Sequence, residues 1–317
     1  MRLKRFFKLG PVVLLKKVVG YEEVYTIGIR PMESTADTPY RCVPYKKDYW
    51  YADPLTFEYG GKHYLFTEAY DRRKSVGSIT VSVIDDRGHI SKPRIIIKEK
   101  YHMSYPYVFM WNGDIYMIPE TSANMTINLY KCVEFPLRWK PEAQMRIDEV
   151  FVDADVFVMG DNELCLLGSA VNKADPLKVR YSRYRITKNE SEYSCHHEGY
   201  AASGWNYFDR NAGKPVVIDG VKYIPTQESS EMDYGIKVNF RKLKNGNNVA
   251  PGVSSSITIE NSGFAANIRR ENMIGVHTYS RAGGFEIIDL RYYKFSFDTN
   301  LRRIKHIVRR FVSGRQN

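Results

Sequence analysis

The chain has 317 residues, of which 43% are apolar, 26% charged and 14% aromatic. That is enough to bury one or two sizeable cores, and it excludes intrinsic disorder as the main state. The formal charge is +11 but is unevenly placed: residues 1–20 and 301–317 each hold six Lys/Arg and no acid, so residues 21–300 sum to −1. A neutral body with two basic ends argues against nucleic acid as a partner, because a nucleic-acid-binding body lines its folded surface with cations.

In chain order, residues 1–20 are predicted as a short basic helical segment in which Leu3, Phe6 and Phe7 alternate with bases until Gly10-Pro11. A signal peptide is not indicated. Lys8 interrupts the apolar stretch, Lys16-Lys17 close it, and no small-x-small site follows directly. No apolar run approaches the roughly 20 residues needed to span a bilayer. Residues 298–317 are predicted as a second basic helix, with Leu301, Ile304, Val308 and Phe311 on one face and Arg/Lys on the other. Such ends suit an anionic leaflet, and the alternative is that their stripes pack on the body. The four cysteines, Cys42, Cys132, Cys165 and Cys195, contain no CxxC and are expected as reduced thiols of a cytosolic protein.

Residues 21–297 contain a repeat. Each copy is a short strand, a Gly/Asn/Asp turn and a strand of alternating aromatic and polar residues. The turns centre near residues 61, 113, 161, 220 and 272, at intervals of 52, 48, 59 and 52. An interval near 50 fits one four-stranded blade per copy, and five copies predict an all-β, five-bladed β-propeller. The segments from Gly77, Ile127, Lys178, Tyr234 and Phe285 alternate apolar and polar residues and are expected as the outer strands. A β-sandwich gives no reason for the period.

Seven residues after the turn centres the chain reads Glu68, Glu120, Gly168, Gln227 and Tyr279; eight before the first three it reads Asp53, Tyr105 and Asp153. Register-equivalent positions lie at equivalent distances from a propeller's axis, so these groups are expected to converge at one end of one channel. Asp53, Glu68, Glu120, Asp153 and Gln227, with His102, Arg210, Tyr234 and His277, form the expected funnel. Paired carboxylates beside Tyr, His and Arg are what a sugar site needs: one to deprotonate or attack, another to protonate the leaving oxygen, the rest to hold hydroxyls or a phosphate. Dinucleotide, P-loop and zinc-protease motifs are absent, as is Gly-x-Ser-x-Gly. His196-His197 is expected as a surface loop pair. No metal and no resident cofactor are expected.

The stretches WYADPLTFEYGGKHYLFTEAYD, YHMSYPYVFMWNGDIYMIPET and NLYKCVEFPLRW, then VDADVF, RNAGK, PTQESSEMDYG and GVHTY ending in EIIDL, resemble the N-terminal-type domain of plant glucosamine inositolphosphorylceramide transferases over about residues 48–292. Bacterial stand-alone relatives occur among polysaccharide-biosynthesis proteins. That domain in turn looks like the five-bladed propellers of glycoside hydrolase families 43, 32 and 68. There, an Asp of an Asp-Pro unit in the first blade is base or nucleophile, as Asp53-Pro54 would be, and a mid-chain Asp, matched by Asp153, tunes the acid. The hydrolases place the acid later in the chain; Glu228 is close in order and Glu120 better in register.

In the plant proteins glycosyl transfer is ascribed to a separate C-terminal domain, which these 317 residues do not contain. The resemblance therefore leaves open whether the propeller catalyses or binds. The leading expectation is a cytoplasmic glycosyltransferase, peripheral at the inner membrane, working in capsule or lipopolysaccharide biosynthesis. It would move a sugar, in its most specific form a furanose, from a nucleotide-sugar donor to a glycan or lipid-linked acceptor. Asp53 would be base or nucleophile, Glu120 the acid and Asp153 the tuning carboxylate. Glu68, His102, Tyr105, Arg210, Gln227, Tyr234 and His277 would bind substrate. A furanosidase-type hydrolase and a non-catalytic carbohydrate-binding propeller are the alternatives.

Overall fold

A computed structural model describes residue 16 and residues 20–34, 38–43, 48–201, 204–208, 210–231, 233–244, 248–258 and 268–296. Apart from Lys16 and Gly20, the two basic end segments lie outside the described residues. Among the described residues no helix is long and apolar enough to cross a membrane.

Five antiparallel sheets succeed one another along the chain as the blades of a propeller. Blade 1 is Tyr49–Tyr59, Lys62–Asp71, Val76–Ile84 and Arg94–Ile97; blade 2 is Ser104–Trp111, Asp114–Glu120, Thr126–Glu134 and Arg138–Arg146. Blade 3 is Phe151–Gly160, Glu163–Val171, Val179–Asn189 and Glu192–Tyr200. Blade 4 has Arg210–Asn211 innermost, then Val221–Glu228, Lys237–Lys244 and Asn248–Ile257, with Val216–Ile218 also on the second strand.

The repeated turns have a local cause. Gly60-Gly61, Asn112-Gly113, Asp219-Gly220 and Gly283-Gly284 each join two paired strands, and both residues of each pair have positive φ. This is the two-residue hairpin turn whose twist matches that of the strands, and Gly, Asn and Asp tolerate it best.

The fifth copy corrects the sequence reading. No hairpin turn lies at residue 272: Arg270–Asn272 is a 3-10 turn, and Met273–Ala282 is the innermost strand of blade 5. Its hairpin turn is Gly283-Gly284, so Phe285–Phe295, expected as an outer strand, is the second strand. The polar run before Met273 resembles a turn in composition, but only the Gly pair supplies two left-handed residues. The third strand of this blade is Tyr21–Pro31 from the start of the chain, paired in unbroken register from Tyr21↔Phe295 to Pro31↔Phe285, and Arg41–Cys42 is outermost. The two ends of the body thus close the ring.

The core lies between blades. Leu55, Tyr105, Trp111, Leu129, Leu164 and Ile186 form one buried cluster across blades 1 to 3. Polar stitches reinforce it: the Trp111 indole donates to the Gly160 carbonyl at 2.9 Å, and Asn211 Nδ2 to the Leu167 carbonyl at 2.7 Å.

Candidate active site

The same irregularity recurs near the start of the innermost strand in four blades. The ladder register slips between Ala52 and Leu55, Ser104 and Tyr107, Val152 and Asp155, and Val276 and Tyr279. Such bulges re-aim a side chain. In three of them the first bulged residue is left-handed: Asp53 (φ 51°), Tyr105 (φ 44°) and Asp153 (φ 49°). A non-glycine residue held there costs of order 1–3 kcal/mol, which persists only where the surroundings over-determine it. The fourth bulge carries His277-Thr278. Asp53, Asp153 and His277 are thereby brought to the axis at one end of the channel, called here the upper face.

Two nests of buried charge result. In the first, Asp53 accepts from the Tyr105 backbone N–H (3.1 Å) and the Thr278 hydroxyl (3.2 Å), and its Oδ1 lies 3.3 Å from His277 Nδ1. Asp289, fully buried on the second strand of blade 5, accepts from His277 Nδ1 (2.9 Å), the Thr278 N–H (2.6 Å) and the Asp53 N–H (3.0 Å). The Tyr234 hydroxyl is 2.5 Å from His277 Nε2. In the second nest Asp153 Oδ2 accepts from Arg210 Nε (2.6 Å) and Gln227 Nε2 (3.0 Å). Glu120 accepts from the Asp153 N–H (3.3 Å) and the Ser122 hydroxyl (2.7 Å). The Arg210 guanidinium lies 4.6 Å over the Tyr234 ring and joins the nests.

Glu68 and His102 form the adjoining wall. His102 Nδ1 accepts from the Gly77 N–H at 3.0 Å, and its Nε2 is 3.5 Å from Glu68 Oε1. Glu68 is buried, and that oxygen makes no hydrogen bond. Aromatic rings run outward from the first nest: Tyr25 against His277 (5.3 Å between centroids), Trp50 against Tyr25 (4.9 Å) and Tyr70 stacked on Trp50 (4.3 Å).

Burial and crowding separate the carboxyls in acidity. Burial raises Asp53 to about 6; His277 opposes this, and Asp289 and Asp153 add to it. Burial, then the Asp153 charge, raises Glu120 to about 8, against Arg210. Glu68 is pushed well above the carboxylate range by burial and by the surrounding acids. Burial works to lower the imidazolium of His277, but Asp289 and then Asp53 outweigh it, and the net shift is upward. For Arg210 the attraction of Asp153 likewise outweighs burial, so it stays cationic. At neutral pH one axial carboxyl, Glu120, is therefore protonated while Asp53 is largely ionised. Two acids pushed apart in this way can divide acid and base work between them.

Asp53, His277 and Asp289 each offer a ligand atom within 4.8 Å of the others, the one such grouping found among the described residues. A cation there would have to replace the hydrogen bonds that now join them.

Of the residues singled out from the sequence, Asp53, Glu68, Glu120, Asp153, Arg210, Gln227, Tyr234, His102 and His277 gather at this end of the axis. Tyr105 contributes its backbone alone. Its ring is fully buried, and its hydroxyl donates to Asp155 (2.9 Å) and accepts from the Gly213 N–H (2.9 Å). It therefore has no ring surface to offer a substrate. Glu228, one residue beyond Gln227, points to the other side of the sheet, where it meets Asn239 and Lys237 at 3.0 Å. The expected loop pair His196-His197 lies in the outermost strand of blade 3, exposed as expected, with His197 Nε2 2.9 Å from the Ser182 hydroxyl. Sequence reasoning missed Asp289, Thr278 and Tyr25. Asp289 left one trace: a lone acid between Ile288 and Leu290, both buried, has to be partnered.

The family model described as "Glucosamine inositolphosphorylceramide transferase 1, N-terminal" matches residues 40–269. Glucosamine inositolphosphorylceramide transferase 1 of Arabidopsis thaliana is 30% identical over 200 residues, 61% of this chain and 25% of that protein. The protein of the same name from Oryza sativa subsp. indica is 30% identical over 200 residues, 26% of its length. The match thus spans about a quarter of these relatives. Among solved structures, the catalytic domain of a Coprinopsis cinerea GH62 α-L-arabinofuranosidase superposes with a TM-score of 0.52 at 12% identity, covering 87% of this chain and 98% of that one. At that identity the likeness concerns the fold.

Proposed function

This chain belongs to the family of glucosamine inositolphosphorylceramide transferase N-terminal domains, and from that premise we propose that its propeller is itself a glycosyltransferase. It transfers a sugar from a nucleotide-sugar donor to a glycan or lipid-linked acceptor, in bacterial capsule or lipopolysaccharide synthesis at the cytoplasmic face of the inner membrane. The observation that carries the reading is the gathering at the axis of Asp53 against His277 Nδ1 (3.3 Å) and of Glu120 and Arg210 against Asp153 (3.3 and 2.6 Å), where burial lifts Glu120 to about 8 and Asp53 to about 6. The names of the curated relatives agree with a transferase.

In this reading Glu120, partly open to the funnel, donates its proton to the departing oxygen. Asp53, held from three sides, is base or nucleophile. Asp153 keeps Arg210 and Gln227 in place, and the Arg210 guanidinium offsets charge on a phosphate or leaving oxygen. His102, Glu68, Tyr234 and His277 line the sugar's surroundings. With water in place of the acceptor the same pair would hydrolyse, so the two reactions differ in what occupies the acceptor side.

The test is to incubate the protein with a panel of nucleotide sugars and synthetic or lipid-linked acceptors and to follow product mass, with Asp53→Asn and Glu120→Gln alongside. A gain of one sugar, reduced about 10²-fold or more in both variants, is expected. Release of free sugar from furanosides without transfer would make the protein a hydrolase. Saturable glycan binding with neither reaction would make it a recognition module.

A further inference from the structure

We infer that the upper face, into which the funnel opens, docks on an anionic lipid surface, with the loop around Trp205 and Phe208 as its apolar contact. This deepens the transferase reading by placing the site toward a lipid-linked acceptor.

Three observations converge on one face. First, the two ends of the described body, Gly20 and Ser296, lie side by side there. Tyr21 pairs with Phe295 at the end of blade 5 nearest the bulges, and the Ser296 N–H donates to the Gly20 carbonyl at 3.1 Å. The twelve cations of residues 1–20 and 301–317 are joined in sequence to these two points, and Lys16 itself lies 5.3 Å over the Tyr293 ring.

Second, the segment between blades 3 and 4 is pinned to the same face. Asn206 exchanges two backbone hydrogen bonds with Val179 (2.7 and 2.9 Å), and the Ser229 N–H donates to the Tyr207 carbonyl, two residues beyond Gln227. The segment presents apolar rings to solvent: Trp205 is 37% and Phe208 40% exposed, with Tyr200 beside them at 42%. The Arg180 guanidinium lies over both the Tyr200 ring (3.2 Å) and the Trp205 ring (4.4 Å), and Lys178 Nζ is 5.3 Å from the Tyr207 ring. Trp, Phe and Tyr mixed with Arg and Lys is the composition of an interfacial contact.

Third, several acids of this face are paired with bases. Glu22 bonds Arg72, Glu23 and Asp233 bond Arg291, Asp48 bonds Arg73, and Glu228 bonds Lys237. Beside the patch, Glu149 and Asp175 accept from the Tyr200 and Tyr207 hydroxyls (3.2 and 3.4 Å), and each base of the end segments that reaches an anionic surface is worth about 1 kcal/mol.

The full chain is sedimented with vesicles of phosphatidylcholine alone and with phosphatidylglycerol added, and tryptophan quenching by brominated lipid is read in parallel. Expected is binding that needs phosphatidylglycerol and weakens with salt, quenching that disappears in Trp205→Ser, and affinity at least about tenfold lower in Trp205→Ser/Phe208→Ser. Met159→Ser/Val217→Ser, at the opposite-face hairpin ends, should bind as wild type, and unchanged melting should show that all variants fold. The proposal is overturned by absence of binding, by equal binding to both vesicle types, or by retention of affinity in the Trp205/Phe208 variant. It is overturned equally if a soluble oligosaccharide quenches Trp205 while vesicles do not, which would reassign the patch to glycan. Transfer to a soluble synthetic acceptor should persist in the double variant, so loss of the membrane contact and failure of the transferase reading are read separately.

Discussion

Glu120→Gln isolates the acidity argued for the site. Glu120 takes up its proton more readily in the folded protein, at about 8 instead of 4.5. A carboxyl raised in this way supports the folded state fully below about pH 4.5, and that support is lost as pH climbs toward 8. One pKa unit corresponds to about 1.4 kcal/mol, and water at the half-open mouth reduces the full effect, so we expect roughly 2–4 kcal/mol between the two limits. Gln keeps the shape and can still accept from the Asp153 N–H while its amide meets the Ser122 hydroxyl, but it has no proton to lose. Urea unfolding of both proteins should therefore give similar stabilities at pH 4.5 and a variant more stable by roughly 2–4 kcal/mol at pH 8. The variant gains stability where it loses transfer, as a strained functional group allows. Parallel stability curves across this range would show that Glu120 ionises like an ordinary carboxyl, and the division of acid and base work would fall with it.

Other outcomes follow from the buried partners. Asp289→Ala leaves two backbone donors without an acceptor in a dry site and His277 Nδ1 with its longer contact to Asp53 (3.3 Å), and should lower stability by about 3–5 kcal/mol in chemical unfolding; a loss below about 1 kcal/mol would contradict the hydrogen bonds assigned to it. Gly213→Ala should lower stability by at least about 3 kcal/mol, because φ is 132° and a Cβ would sit 1.9 Å from the Tyr279 carbonyl oxygen; unchanged thermal unfolding would refute that packing.

The sequence by itself determined the repeat, because its signals are local. A Gly-Gly or Asn-Gly pair sets a turn, alternation sets a strand, and a 50-residue period sets a blade. It also placed most of the candidate site, since positions equivalent in register are equivalent in distance from the axis, and Asp53, Glu120 and Asp153 met that rule.

Tertiary structure decided what depends on contacts distant along the chain. Blade 5 is shared between residues 21–42 and 273–295, so no local pattern could announce its third strand. The fifth turn was misplaced for the same reason: composition near residue 272 imitates a turn, and pairing with Tyr21–Pro31 fixes Phe285–Phe295 as its neighbour. Asp289 became legible only once His277 and Asp53, 12 and 236 residues away, lay within hydrogen-bond reach. Whether a carboxyl at the axis is acid, base or support is likewise a tertiary property. Asp53, Glu68, Glu120 and Asp289 share one side-chain chemistry, and their different partners and access to water separate them.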